Sequence, residues 1–231
     1  MNNENRFEEL FPDSYFADRD FSQTERKQSI KLEVAWLKSL GVNVGGDVCD
    51  VGCSTGEFLE FSNWSGTRYG MEVNAFAIGE AKKRGIDFSK NITNSQQFFD
   101  AVIMRGVIQH LDQPFLYIDQ AANSLKEGGY LVILQTPDIG GFYYRLFKSL
   151  PALELNNTYF LPDSDQLIRI CARSNLTLVK QQKPYWGSPY ASPKKDFLKA
   201  LARLASGCKR FEGPFPDNMV NLLFRKDLKN G

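Results

Sequence analysis

The stretch VCDVGCSTGEFL, residues 48–59, decides the fold of this chain. It places Asp50 at the end of an apolar run, followed by Gly52 and Gly56 and then by a helical pattern. Glycine adopts positive φ and carries no Cβ, so a ligand can approach the backbone closely. A strand, a tight glycine turn and a helix in this order are typical of nucleotide-binding α/β domains. The stretch therefore predicts a nucleotide-like ligand at this turn.

A carboxylate follows the next predicted strand and narrows the choice of ligand. Glu72 lies 20 residues after Gly52, where a carboxylate can accept hydrogen bonds from ribose hydroxyls. The stretch lacks the third glycine of a dinucleotide loop, and Glu57 and Glu60 at the helix start would repel a pyrophosphate. This argues against a nicotinamide dehydrogenase. A ligand with a ribose, a positive centre and no phosphate fits better, and S-adenosylmethionine has these properties.

Short apolar segments alternate with helical patterns along most of the chain. The predicted strands are residues 47–51, 68–73, 86–88, 99–104, 130–135, 176–182 and 218–226. Strands that are apolar on both faces and alternate with helices are typical of a parallel sheet covered on both sides. We therefore predict a doubly wound, Rossmann-like α/β fold with seven strands, mostly parallel, an antiparallel C-terminal strand and helices on both faces.

The predicted domain organisation is simple. Residues 1–23 form an N-terminal arm or lid, and residues 24–231 form one domain. Within that domain we expect a lid-like, aromatic-rich insertion at 138–162 and a basic amphipathic helix at 193–206. The aromatic side chains suit either a core or a substrate wall.

Four segments, in this order, resemble motifs of the class I S-adenosylmethionine-dependent methyltransferases. They are VCDVGCSTGEFL, YGMEVNAFAIGEAKKRGI, FDAVIMRGVIQHLDQP and LKEGGYLVILQTP. The resemblance covers about residues 30–180 and is greatest to the small-molecule and sugar methyltransferases. Ser54 departs from the family pattern, which has a glycine there.

The resemblance implies a cofactor site for S-adenosylmethionine. Asp50 would organise the loop, Glu72 would bind the ribose, and Asn91 and Asn94 are candidates for contacts with the adenine. The implied cofactor-binding residues are Asp50, Gly52, Cys53, Gly56, Glu72, Val73, Met104 and Arg105.

The acceptor side is less defined by sequence. His110, the only histidine of the chain, suits either a general base or a packing and capping role. Arg105 suits either a substrate clamp or a surface ion pair. The candidate substrate-binding residues are Tyr15, Tyr143 and Tyr144.

We expect methyl transfer to an oxygen of a small-molecule or carbohydrate acceptor, in polysaccharide or glycolipid biosynthesis. Transfer to carbon or nitrogen of a quinone-like or other small metabolite, and a non-catalytic cofactor-binding partner protein, are the alternatives. With 28 Lys and Arg against 27 Asp and Glu, the net charge of +1 gives no reason to expect a nucleic-acid partner.

Composition also bears on metal, membrane and compartment. The four cysteines, Cys49, Cys53, Cys171 and Cys208, form no C-x-x-C pair, so we expect reduced thiols, no metal site and a cytoplasmic protein. No apolar run is long enough to span a bilayer. The 193–206 helix is expected to pack on the domain with a solvated basic face, with weak membrane-surface contact as the alternative. The sequence leaves the oligomeric state open.

Overall fold

The structure, a computed structural model, describes residues 12–17, 24–150, 158–207 and 213–228. The helices are α1 Asp13–Ala17, α2 Thr24–Ser39, α3 Glu57–Phe61, α4 Ala75–Lys83, α5 Pro114–Ser124, α6 Phe142–Phe147, α7 Ser164–Arg173 and α8 Pro193–Ala205. The strands are β1 Val48–Val51, β2 Arg68–Met71, β3 Phe99–Arg105, β4 Leu125–Pro137, β5 Leu176–Gln182 and β6 Met219–Lys226. One 3₁₀ turn, Ile108–His110, follows β3.

The strands form one sheet in the order β2-β1-β3-β4-β6-β5. Strands β1 to β4 pair in parallel, and β6 runs antiparallel to both of its neighbours. The predicted Rossmann-like α/β fold with an antiparallel C-terminal strand is confirmed. The predicted number of strands is wrong, because the described residues form six strands and not seven.

The missing strand is the segment predicted at 86–88. Asp87 makes only an isolated bridge to Tyr69 of β2. Its carboxylate accepts a hydrogen bond from the backbone N–H of Ser89 at 2.7 Å, which turns the chain away from the sheet edge. The short apolar pattern at 86–88 therefore corresponds to a single contact with the edge of the sheet and not to a strand.

The core has two layers, one on each face of the sheet. On β3, Val102 and Met104 pack with helices α5 and α7, while Ala101 and Ile103 pack with α2, α3 and α4. Side chains alternate between faces along a strand, so every residue of this apolar run is buried on one side or the other. The two faces are covered by helices, as a doubly wound fold requires.

The insertion at 138–162 contributes a third, aromatic cluster. Tyr143 and Phe147 of α6 pack against Phe215 and against Ala200 of α8. Tyr143 is fully buried in this cluster. This part of the insertion is core, while residues 151–157 lie outside the described residues.

The helix that positions the site, α4, begins and ends as its sequence indicates. The Asn74 side chain accepts a hydrogen bond from the N–H of Ala77 at 2.8 Å, and Gly85 follows the helix with φ of 76°. These are a side-chain N-cap and a glycine after the C-cap. The cap holds the backbone directly after Glu72.

Two further sequence expectations concern membranes and thiols. Among the described helices, none combines the length and apolarity needed to cross a bilayer. Cys49, Cys53 and Cys171 are buried free thiols, and Cys208 lies outside the described residues.

Candidate active site

A cavity of about 260 Å³ lies at the carboxyl ends of β1, β2 and β3. Parallel α/β sheets bind ligands at this edge. Seven of the residues singled out by sequence line it, namely Asp50, Gly52, Cys53, Glu72, Val73, Arg105 and His110.

Gly52 is required by the geometry of the loop after β1. Its φ is 69°, and a Cβ at this position would lie 2.5 Å from Cγ2 of Val107. The N–H groups of Gly52 and Cys53 both donate to the carbonyl of Met71, at 2.7 and 3.2 Å. Only glycine combines this backbone conformation with so close a neighbour.

Ser54, which replaces the family's glycine, has φ of 52°. Its N–H donates to Oε2 of Glu72 at 3.0 Å. A non-glycine residue in the left-handed region is uncommon and often marks a functional site. The loop is therefore held in a strained conformation by the carboxylate at the end of the neighbouring strand.

Glu72 ties this loop to the start of α4. Its carboxylate accepts backbone hydrogen bonds from Ser54 at 3.0 Å, Val73 at 2.8 Å and Asn74 at 3.1 Å. An ionised carboxylate offers about four acceptor positions, so about one remains for a hydroxyl donor from a ligand. Val73 beside it is 53% exposed at the rim of the cavity.

Asp50 is a buried carboxyl group at the floor of the cavity. Burial raises the pKa of Asp50 from 3.8 to about 7, the Arg105 guanidinium opposes this rise, and Glu72 adds to it. Oδ1 of Asp50 accepts no hydrogen bond from any residue in the described part of the chain. One oxygen of this carboxyl group is therefore desolvated without a hydrogen-bond partner among the described residues.

Two more buried polar atoms share this condition, one in a residue that lines the cavity and one in the residue next to His110. Among the described residues, Asp50 Oδ1, Ser54 Oγ and Gln109 Oε1 are the buried side-chain oxygens and nitrogens without a partner. Asp50 and Ser54 line the cavity, and Gln109 directly precedes His110, which also lines it. Each such atom costs about 1–3 kcal/mol, so their concentration at one place fits a ligand rich in hydrogen-bond donors.

S-adenosylmethionine meets this requirement with an ammonium group and two ribose hydroxyls. Asp50 is suited to the ammonium group, the loop at Gly52 to close approach, and Glu72 to the ribose. The residues present thus fit the cofactor that the sequence implies.

Arg105 lies between the cavity and a buried ion pair, and not in a surface ion pair. It lines the cavity, and its guanidinium makes a bidentate ion pair with Glu33 of α2, at 2.8 and 3.1 Å. Glu33 also accepts hydrogen bonds from Ser29 at 3.1 Å and Gln135 at 2.7 Å. The pair is buried, with 16% of the Arg105 side chain and 4% of the Glu33 side chain exposed.

The carboxylates at the start of α3 are neutralised by arginines. Glu57 pairs with Arg26 at 2.5 Å, and Glu60 pairs with Arg84 at 2.8 Å. Repulsion of a phosphate by these carboxylates is therefore weaker than the sequence suggests. The missing third glycine, and not the charge of these carboxylates, therefore distinguishes this loop from a dinucleotide-binding loop.

His110 lies on the 3₁₀ turn after β3, facing the cavity. The side-chain Nε2 of Gln109 lies 3.2 Å from Nε2 of His110 and donates to the carbonyl of Gly106 at 3.2 Å. The amide of Gln109 thus lies between the Gly106 carbonyl and the imidazole, and the histidine tautomer sets the donor and acceptor roles at the imidazole Nε2.

Several predicted site residues lie away from the cavity. Met104 is fully buried in the core, because its side chain points to the face opposite Arg105. Gly56 supports packing, since a Cβ there would lie 3.0 Å from Cγ1 of Ile86. The fully buried Tyr143 belongs to the aromatic core, with Tyr144 packed against it.

Two more predicted contacts fall elsewhere, and a third lies outside the described residues. Asn91 and Asn94 bond to each other within the loop that follows Phe88, and neither lines the cavity. Tyr15 lies on α1, and its side chain is outside the described part of the structure.

Sequence reasoning missed Arg26, Phe16, Phe58 and Tyr117, which line the cavity, and Glu33, which holds Arg105. Phe58 lies two residues after the last glycine of the loop and could have been found. Arg26 and Glu33 lie on a helix remote in sequence, and their places depend on how α2 packs.

Comparison with known proteins agrees with this geometry. The sequence model of the methyltransferase domain family matches residues 23–181. The chain belongs to this family. The resemblance to class I S-adenosylmethionine-dependent methyltransferases is thereby confirmed, with the enzyme class and the cofactor.

Solved structures of methyltransferases share the fold. A possible histamine N-methyltransferase of Thermotoga maritima superposes with a TM-score of 0.60 at 17% identity, covering 97% of this chain and 95% of that one. Magnesium protoporphyrin IX methyltransferase of Synechocystis PCC 6803, with bound S-adenosylmethionine, gives 0.62 at 14% identity, covering 98% of both chains.

A curated relative matches over a smaller region. The tRNA U34 carboxymethyltransferase of Psychrobacter arcticus is 30% identical over 89 residues, which is 38% of this chain and 25% of that protein. The chain spans half or less of the length of the curated relatives that it matches.

Proposed function

We propose that this domain transfers the methyl group of S-adenosylmethionine to an oxygen atom of a small-molecule or carbohydrate-containing acceptor. We further propose that it acts in the cytoplasm, in polysaccharide or glycolipid biosynthesis. The observation that carries the proposal is that His110 lines the same cavity as Asp50 and Glu72. A candidate base and the proposed cofactor contacts thus share one enclosed space.

The chain's own residues bind and orient the two reactants. S-adenosylmethionine, when bound, supplies an electrophilic methyl group on a positively charged sulfur. Asp50 receives the ammonium group, and Glu72 receives the ribose. His110 accepts the proton of the acceptor hydroxyl as its oxygen becomes a nucleophile, a role that imidazole performs in many enzymes.

The cover over the cavity supports a small acceptor. Phe16 of α1 lines the cavity and is 4% exposed, and Asp13 of the same helix accepts a hydrogen bond from Asn74 Nδ2 at 3.0 Å. The walls also include Phe58 and Tyr117. Such an enclosure aligns reactants and excludes water, and both effects accelerate a displacement reaction.

A second candidate comes from the names of the curated relatives, which act on tRNA U34. The net charge of +1 does not favour it, because the chain has no overall excess of positive charge to attract a nucleic acid. The two candidates differ in acceptor and can be separated directly.

The test is transfer of a labelled methyl group to a panel of sugar nucleotides, glycolipids, phenols and tRNA, with the modified atom located by mass spectrometry. We expect an oxygen-methylated small product. His110→Asn should lower kcat by about 10²- to 10⁴-fold, the usual contribution of general acid–base catalysis, with unchanged affinity for S-adenosylhomocysteine. Labelling of tRNA alone, or full activity of His110→Asn on a hydroxyl acceptor, would refute the proposal.

A further inference from the structure

Helix α8 exposes an unusual amount of apolar surface. Leu198 is 67% exposed and Leu201 is 65% exposed, and Phe197 and Leu204 are each more than two-fifths exposed. The helix is attached to the domain by its other face, through Ala200 and Asp196. Contiguous exposed apolar surface on a domain marks an interaction site.

Attachment of the helix is specific, so its orientation is defined. The carboxylate of Asp196 is buried and accepts hydrogen bonds from the Tyr185 hydroxyl at 3.0 Å and the Ser192 N–H at 2.7 Å. Because these hydrogen bonds fix the orientation of α8 on the domain, Leu198 and Leu201 face outward.

A row of basic residues begins beside Leu198, on the side away from Leu201. Lys195, Lys199 and Arg203 recur at four-residue spacing and so lie on one side of the helix. At about 100° per residue, Leu198 lies about 60° from Lys195 and about 60° from Leu201. The only acidic residue of α8 is Asp196, and it is buried, so the exposed surface of the helix is basic and apolar.

Trp186 lies in the loop before α8 and is 70% exposed. Its ring contacts Tyr185, the residue that bonds to Asp196, with 5.1 Å between ring centroids. Tryptophan is enriched where proteins meet the headgroup region of membranes, because one end of the ring system is apolar and the other is polar.

We propose that α8 and Trp186 form a docking surface for an anionic lipid bilayer. Leucines enter the boundary between headgroups and acyl chains, while lysines pair with anionic headgroups. This is how amphipathic helices lie in a membrane interface.

Two other partners fit this surface less well. RNA would neutralise the lysines but would leave two leucines, each about two-thirds exposed, against water or phosphate. A second copy related by two-fold symmetry would bring two rows of like charge together. A bilayer satisfies both the apolar and the basic rows.

The loop that leads into α8 approaches the cavity at Tyr190. Tyr190, three residues before α8, has its pKa raised by burial, while Arg105 and Arg26 of the cavity act on it in the opposite direction. A lipid-borne acceptor could therefore be presented to the cavity from this side. This consequence rests on the proposed function, whereas bilayer binding itself does not.

The test is co-sedimentation of the full chain with vesicles of phosphatidylcholine alone or with 30% phosphatidylglycerol, without cofactor or acceptor. We expect binding to the anionic vesicles that weakens with salt. Lys195→Gln/Lys199→Gln should reduce the affinity about 25-fold, about fivefold for each lysine. Lys31→Gln/Lys38→Gln, which makes the same charge change on α2, should leave it unchanged.

The apolar contribution needs its own pair of variants. Leu198→Gln/Leu201→Gln should reduce vesicle binding at least tenfold, while Leu32→Gln/Leu116→Gln, at exposed leucines elsewhere, should not. Circular dichroism would verify folding of each variant. Methyl transfer to a water-soluble acceptor should persist in all four, which separates a failure of docking from a failure of the proposed activity.

Three outcomes would overturn the proposal. The first is no binding of the wild-type chain to anionic vesicles. The second is tRNA binding that the lysine changes abolish and the leucine changes do not, without vesicle binding. The third is a dimer in sedimentation analysis that Leu198→Gln/Leu201→Gln converts to a monomer, with vesicle binding unaltered.

Discussion

Replacing Asp50 with asparagine is expected to stabilise the ligand-free domain at neutral pH while weakening cofactor binding. Asp50 is buried, and one carboxylate oxygen has no partner among the described residues. Burial raises its pKa from 3.8 to about 7, against the opposing effect of Arg105. Asparagine has nearly the same shape and carries no charge at any pH.

The magnitude follows from proton linkage. Below pH 3.8 the carboxyl group is protonated in both the folded and the unfolded chain. Between 3.8 and about 7 the folded chain keeps a proton that the unfolded chain has lost, so stability falls as pH rises through this window. From pH 5 to pH 8 about two units of that window are crossed, which at about 1.4 kcal/mol each is about 2.7 kcal/mol.

Urea unfolding of wild type and Asp50→Asn at pH 5 and pH 8 measures this directly. The variant should gain about 2.7 kcal/mol relative to wild type between the two conditions. Asp165→Asn, at an exposed aspartate of α7, should show no such change. A difference between wild type and Asp50→Asn that is equal at both pH values would refute the assignment of the titration to Asp50.

The same variant tests the role in binding. Loss of a charge-assisted hydrogen bond costs about 1.5–3 kcal/mol, or roughly 10- to 100-fold in the Kd for S-adenosylhomocysteine by calorimetry. Asp165→Asn should bind as the wild type does. Unchanged affinity of Asp50→Asn would place the ammonium group elsewhere.

Glu72→Gln should raise the Kd for S-adenosylhomocysteine by about 10- to 100-fold in calorimetry, whereas Glu127→Gln should have no effect. Gly52→Ala should lower the free energy of unfolding by about 2–4 kcal/mol, through positive φ and contact with Val107. Adding Val107→Ala should restore part of the lost free energy of unfolding, measured by urea unfolding. No recovery would contradict a contact between residue 52 and Val107. Glu33→Gln should cost about 3 kcal/mol because its buried arginine loses its counter-charge, and a loss under 1 kcal/mol would count against that pair.

Local sequence was enough for most elements of the fold. The strand at 176–182 was predicted where the structure has it, and Asn74 and Gly85, which bound α4, are residue types that favour helix ends. These features depend on residues close in sequence, so a single chain displays them. The prediction of a strand at 86–88 was wrong because an isolated β-bridge and a strand show the same short apolar pattern in sequence.

The acceptor side shows the opposite case. Tyr143 and Tyr144 belong to a strongly aromatic stretch, and the sequence does not reveal whether such a stretch lines a cavity or fills a core. Phe215, more than 60 residues away, settles the matter by packing on Tyr143.

The chain's periodicity was sufficient to predict the α/β class, and the resemblance of its four motifs was sufficient to indicate the family, because both depend on neighbours along the chain. The tertiary structure alone decided that Glu33 pairs with Arg105, that Phe16 covers the cavity, and that Leu198 and Leu201 face outward. Each of these depends on how separate helices pack, and burial and charge pairing are properties of the assembled fold.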